Sequence, residues 1–192
     1  FIHSATDPDT NNNQWLSLSN YVRTKLNYYY DPAVQFVEQT DLREQLKIKH
    51  KGVYIGFEDS DNKYSAREGF LKEDLLDIIG GFDQAIDLLY TKFRKDSVAV
   101  SKLRTGTFYF TIITDVKYLP NPTSWDEARD GVYFMWGQNY RALYLPYEIQ
   151  KMGISKIDVL DRLCSFEAKI PGSLWRLPEG LIFRLLSHSF SS

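Results

Sequence analysis

The chain is poor in the residues that staple a small protein or wire it to a metal. It has one cysteine, Cys164, so no internal disulfide can close. That excludes the framework of a small secreted domain and favours a reducing, intracellular setting, cytoplasmic or nuclear. The three histidines, His3, His50 and His188, are isolated, and neither H-E-x-x-H nor C-x-x-C occurs. No clustered ligand set can therefore be read, and neither a metal nor another cofactor is expected. G-x-S-x-G, the P-loop and G-x-G-x-x-G are all missing, which leaves hydrolase, NTPase and dinucleotide readings without support. No apolar run approaches the roughly 18 residues of a membrane-spanning helix. Net charge is only −2, too little for a broad field toward nucleic acid or an anionic membrane. Internal repeats, low-complexity segments and charge blocks are also lacking. The expectation is a polar tail over 1–13 and one domain over 14–192, with room for a small subdomain within 58–147. The start at Phe1, followed by polar residues, suggests a segment excised from a longer protein.

What the chain has in quantity is aromatic surface: 13 tyrosines, 12 phenylalanines and 4 tryptophans. Such a surplus suits sheet faces and half-exposed positions. Trp15, Leu18, Val22, Leu26 and Tyr29 recur at helical spacing, and Asp31-Pro32 should end that helix. Gly52–Phe57 and Tyr64–Leu71 read as the strands of a hairpin across the acidic turn Glu58–Asn62. A long helix is predicted over Glu73–Arg94, with Leu75, Ile78, Ile79, Phe82, Ala85, Ile86, Leu89 and Phe93 as its stripe. Gly80-Gly81 inside it costs roughly 1.5–2 kcal/mol relative to alanine and predicts a kink or a close approach. Thr107–Tyr118 reads as a central strand, apolar on both faces. Thr123 or Ser124 with Glu127 resembles a helix-capping start. Gly131–Trp136 and Tyr140–Leu145 form a second hairpin around Gly137. A helix over Lys156–Phe166 should turn Ile157, Leu160, Leu163 and Cys164 inward, and Gly180–Phe190 is a last strand. This irregular interleaving predicts an α+β fold, with a mixed, mainly antiparallel sheet flanked by helices.

From Thr107 to Phe190 the order of motifs resembles the AMMECR family, also called AmmeMemoRadiSam protein A. The matching pieces are Phe110–Thr114, Gly131-Val-Tyr-Phe, Tyr144-Leu-Pro-Tyr-Glu-Ile, Gly153, Leu160-Asp-Arg-Leu-Cys164 and Leu174-Trp175. The resemblance implies that family's α+β fold. It also implies a link to Memo-type and radical-SAM proteins, as an enzyme or accessory factor in a modification pathway. The family strand motif R-G-C-I-G corresponds here to Ser65–Leu71. Its arginine is kept as Arg67, but its cysteine position falls on Gly69. The D-P-R-F segment after the long helix is only loosely echoed in Phe93–Asp96. The chain looks like a divergent relative without the thiol on which the family's chemistry would depend.

The remaining polar clusters have plain explanations. Cys164 lies on an apolar helical stripe, which predicts a buried structural thiol rather than a nucleophile. Asp7, Asp9, Asn11 and Asn13 alternate like the start of a calcium loop but lack its glycine and terminal acid. Lys47, Lys49, His50 and Lys51, with Lys92, Arg94, Lys95, Lys102 and Arg104, make two small basic runs. Beside Tyr28–Tyr30 these would suit nucleic acid, although ordinary solvated faces account for them better, given the acidic balance elsewhere. Tyr64, Arg67, Glu68, Gly69 and Lys72 form the most concentrated polar group on a structured hairpin. They are the expected ligand- or partner-binding site, with a protein or a small molecule as partner. No catalytic constellation is read, and the molecule is expected to be a binding or interaction module.

Overall fold

The computed structural model describes residues 12–31, 33, 35–37, 40–45, 50–61, 65–75, 77–95, 102 and 105–191, without the side chains of 12–15, 45, 73–75 and 190. It is an α+β protein. Six strands lie in the order β2-β1-β3-β6-β4-β5. They are β1 His50–Glu58, β2 Ser65–Leu75, β3 Thr107–Tyr118, β4 Gly131–Trp136, β5 Tyr140–Tyr144 and β6 Gly180–Ser191. The helices are α1 Asn12–Tyr30, α2 Thr40–Gln45, α3 Ile78–Phe93, α4 Pro146–Met152 and α5 Lys156–Arg162. β1–β2, β4–β5 and β4–β6 pair antiparallel. Thr114 Oγ1 donates to the Leu186 carbonyl and Leu119 N–H to that of Ile182. The partner's number falls as β3 advances, so this pair is antiparallel too. Four of the five neighbouring pairs are therefore antiparallel, which a doubly wound parallel sheet would not show.

The chain divides into two compact units, one from residues up to Ile112 together with the end of β6 from His188, the other Ile113–Ser187. The boundaries fall inside β3 and β6, where no linker composition marks them.

In the first unit, helical spacing puts Leu18, Val22 and Leu26 of α1 into the core. α3 contributes Ile78, Ile79, Phe82, Ala85, Ile86, Leu89 and Phe93, the predicted stripe without Leu75. Val53, Ile55 and Phe57 of β1 and Phe108 and Phe110 of β3 complete it. Phe57 meets Phe93 edge-on at 5.3 Å, and Phe82 meets Phe110 at 5.9 Å, the arrangement ring quadrupoles favour.

α3 begins five residues later than the sequence predicts. Glu73, Asp74 and Leu75 extend β2, because His50 offers Leu75 a strand partner. Asp77 then caps the helix by accepting from the Gly80 N–H at 3.0 Å. Gly80-Gly81 is therefore in the first turn and not at a mid-helix kink. A Cβ at Gly80 would stand 2.7 Å from the Asp77 carboxylate, which also receives Arg43 Nη1 at 2.6 Å. The glycine makes room for the cap and its ion pair. Arg43 reaches Asp83 as well, at 3.3 Å. Asp83 in turn accepts from Tyr21 at 2.9 Å and pairs with Lys25 at 2.6 Å. Tyr29 donates to Asp87, and burial, then that carboxylate, raises its phenol pKa. The polar tail predicted over 1–13 lies outside the described residues up to 11, whereas Asn12 and Asn13 already belong to α1.

In the second unit, Trp125, Val132, Phe134, Leu160, Leu163, Cys164, Trp175 and Ile182 form the core. Its loops are tied by short-range bonds. The predicted helix start at Thr123–Glu127 is instead a series of turns. Asn121 Oδ1 accepts from the Thr123 N–H at 3.1 Å, and Asp130 from the Asp126 N–H at 2.8 Å, offering the backbone an alternative to the helix. α4 has Pro146 at its first position, and Glu148 accepts from the Leu145 N–H at 2.9 Å. It ends on Gly153 in the left-handed conformation, φ 59°. Ser155 caps α5 through the Asp158 N–H at 3.2 Å. Leu160, Leu163 and Cys164 face inward as expected, but Ile157 is 46% exposed and Val159 is buried in its place. The helix widens into a π-helical turn over Leu163–Glu167. Trp175 is held by its indole N–H, which donates to Asp161 at 2.7 Å.

Candidate functional site on the β2 edge

The group expected to bind a partner sits on β2, at one end of the strand order. Arg67 faces Gly56 across the pair, Glu68 faces Ile55 and Gly69 faces Tyr54. Successive strand residues point to opposite faces, so the structure divides this group. Glu68 shares the face of Val53, Ile55 and Phe57, and its carboxylate meets Lys92 of α3 at 3.5 Å. Arg67 and Gly69 belong to the other face. Lys72 is exposed, Arg67 and Gly69 are half-buried, and Tyr64 lies outside the described residues.

Gly69 is a steric requirement. A Cβ there would stand 2.1 Å from the Val53 carbonyl oxygen and 2.6 Å from Tyr54 Cα, both backbone atoms of β1. A Cβ on Gly52 would meet the Phe70 carbonyl at 2.4 Å. Two glycines on facing strands thus allow the strands to approach where a side chain would hold them apart. The carbonyls of Val53 and Phe70 lie between the strands, so Phe70 turns its hydrogen-bonding groups toward β1. In an antiparallel ladder this parity alternates. Arg67, Gly69 and Leu71 therefore present their N–H and C=O groups on the outer side of β2.

Residues that the sequence separated from this hairpin border it. Lys92 counted there as part of a basic run, yet it is the partner of Glu68. Leu88 lies one turn earlier on the same side of α3 and is 47% exposed. Phe70, half-buried, packs against the core cluster. Strand parity together with the i, i+4 spacing of α3 carries this signal, but only once the start of α3 is known. Lys102, of the same run, pairs with buried Asp59 at 2.7 Å. His50 is fully buried, while Lys47, Lys49 and Arg104 lie outside the described residues.

Cys164 is buried, and desolvation raises its thiol from an ordinary 9.0 to about 11, against the opposing effect of a backbone hydrogen bond from Trp175. A thiol so placed is protonated at neutral pH and inert as a nucleophile. Among the described residues no three His, Cys, Asp or Glu side chains are grouped to hold a metal, and no helix is long and apolar enough to cross a membrane. A cavity of about 180 Å³ lies between Asn20, Tyr21 and Thr24 of α1 and Gln35, Phe36 and Val37, with no residue of β2 in its lining.

No protein-family model matches the chain, and no curated protein matches it. Among solved structures, it is similar to the crystal structure of the uncharacterized protein PH0010 from Pyrococcus horikoshii. The TM-score is 0.75 at 15% identity, over 95% of this chain and 93% of that one. At that identity the likeness shows a shared α+β fold.

Proposed function

We propose that this protein is a divergent AMMECR-like domain that works as an intracellular binding or interaction module through its β2 edge, without catalytic chemistry of its own. The observation that carries the reading is at Gly69, where the family motif has its cysteine. The β1 backbone occupies the space a Cβ would need, 2.1 Å away, so this position holds no thiol and has no room for one. The single cysteine elsewhere is buried and protonated. The basic runs that favoured nucleic acid are reduced, since Lys92 and Lys102 are each paired with a carboxylate.

The test is to screen the full chain against fragment and random-peptide libraries while following its backbone amide resonances. Ligands that shift residues 65–72 support the reading. Turnover that depends on Arg67 or Glu68 would overturn it in favour of an enzyme of the modification pathway. Binding to oligonucleotides that weakens steeply with salt would overturn it in favour of nucleic acid.

A further inference from the structure

We infer that β2 takes up an extended segment of a partner protein as an added strand, with an apolar side chain of that segment beside Phe70 and Leu88 and a carboxylate facing Lys72. The inference rests on the reading of β2 as the binding element and names the class of its ligand.

The first ground is backbone chemistry. β2 is 11 residues long, has β1 on one side, and has no strand on the other among the described residues. The positions of the Val53 and Phe70 carbonyls leave the N–H and C=O groups of Gly69 and Leu71 facing outward. A row of alternating donors and acceptors at strand spacing is matched by another extended backbone, and by neither a nucleic acid nor a flat lipid surface. Gly69 puts no side chain in the middle of that row.

The second ground is the surface next to the edge. An added strand would set alternate side chains on the α3 side, level with Ala66, Glu68, Phe70 and Lys72. Phe70 is half-buried there. The contact from Lys92 to Glu68 brings one side of α3 against β2, and Leu88, one turn before Lys92, is 47% exposed on that side. Sheet edge and helix together make the kind of groove in which strand addition draws affinity from the main chain and specificity from alternate side chains. Lys72 is exposed and pairs with no carboxylate among the described side chains. This predicts an apolar residue followed or preceded, two positions away, by an acidic one.

The experiment selects binders from a displayed library of random linear peptides against the intact chain. The selected peptides are synthesised and then N-methylated one residue at a time. Strand addition predicts that the amides of Gly69 and Leu71 gain protection from hydrogen exchange. It predicts that N-methylation at every second peptide residue weakens binding about tenfold or more, while the intervening positions tolerate it. Leu71→Pro, which removes one outward N–H, should weaken binding about tenfold relative to Leu71→Ala, and Leu88→Glu should do the same without touching the edge. The N-methyl series leaves the protein unaltered, so it decides the matter even if a variant fails to fold. Peptides that shift β2 resonances with no alternation in the N-methyl series overturn strand addition and leave the binding reading intact. Selection that yields no peptide touching residues 65–72 overturns both. A concentration-dependent dimer whose β2 amides are already protected assigns the edge to a second copy and overturns the partner segment.

Discussion

The two units are held together by different kinds of contact. In the first, polar side chains reach across long stretches of sequence: Tyr21 to Asp83, Arg43 to Asp77 and Asp83, Lys102 to Asp59. In the second, most bonds span four residues or fewer, as at Asn121–Thr123, Asp126–Asp130, Leu145–Glu148 and Ser155–Asp158. Trp175 to Asp161 is among the longer ones. The second unit follows local rules that sequence alone displays. The first depends on which element meets which, and the candidate site lies there.

The largest test of this difference is Phe82→Ala. Its ring is fully buried against Phe110, and its loss should cost ~3–5 kcal/mol, read by urea denaturation. Hydrogen exchange should quicken within residues 12–112 and much less within 113–187. Equal loosening of both would break the comparison. Asp83→Ala removes the shared acceptor of Tyr21, Lys25 and Arg43. It should cost about 1–3 kcal/mol, less than the sum of three bonds because all are partly exposed. Adding Arg43→Ala should then cost far less than it does alone, a non-additivity that marks one network. Gly69→Ala should cost more than about 1 kcal/mol, since the added methyl meets backbone; a neutral result would show that β1 and β2 can separate freely.

In the second unit, Ser155→Ala should cost ~1 kcal/mol and simply add to a change at Glu148, as independent local caps do. The smallest effect is the alkaline one at Cys164. Its pKa is raised on folding from 9.0 to about 11, so the folded state keeps its proton longer than the unfolded chain. The stabilisation is complete below pH 9 and is lost as pH rises toward 11. Cys164→Ala should remove that part of the pH dependence, and iodoacetamide should label the native thiol far more slowly than the unfolded one.

How far the sequence could be read follows the same division. The bounds of β3 and β4 and the buried stripe of α3 were legible, because period and burial agree along them. The failures have physical causes. Glu73–Leu75 look helical alone but become strand because β1 continues to His50. Thr123–Glu127 has the residues of a helix start, yet the Thr123 hydroxyl donates to Asn121 and the Asp126 carboxylate accepts from the Ala128 N–H, both within turns. Ile157 fits the α5 stripe by spacing, but the buried face runs through Val159 and Leu160 instead and leaves Ile157 exposed, because the second unit's core packs against that face. At the site, Arg67 and Glu68 are neighbours in sequence and occupy opposite faces of a strand. The pairing of Glu68 with Lys92 crosses from β2 to the last turn of α3, and no local pattern announces it.

The facing glycines of β1 and β2 also bear on how the sequence can drift. Any residue but glycine at position 69 brings a Cβ, and that Cβ would sit 2.1 Å from the Val53 carbonyl. The strand pair must widen, at some cost in stability, before such a change is tolerated. Close strand packing here acts as a filter on mutation, rejecting even the smallest side chain at a half-buried position.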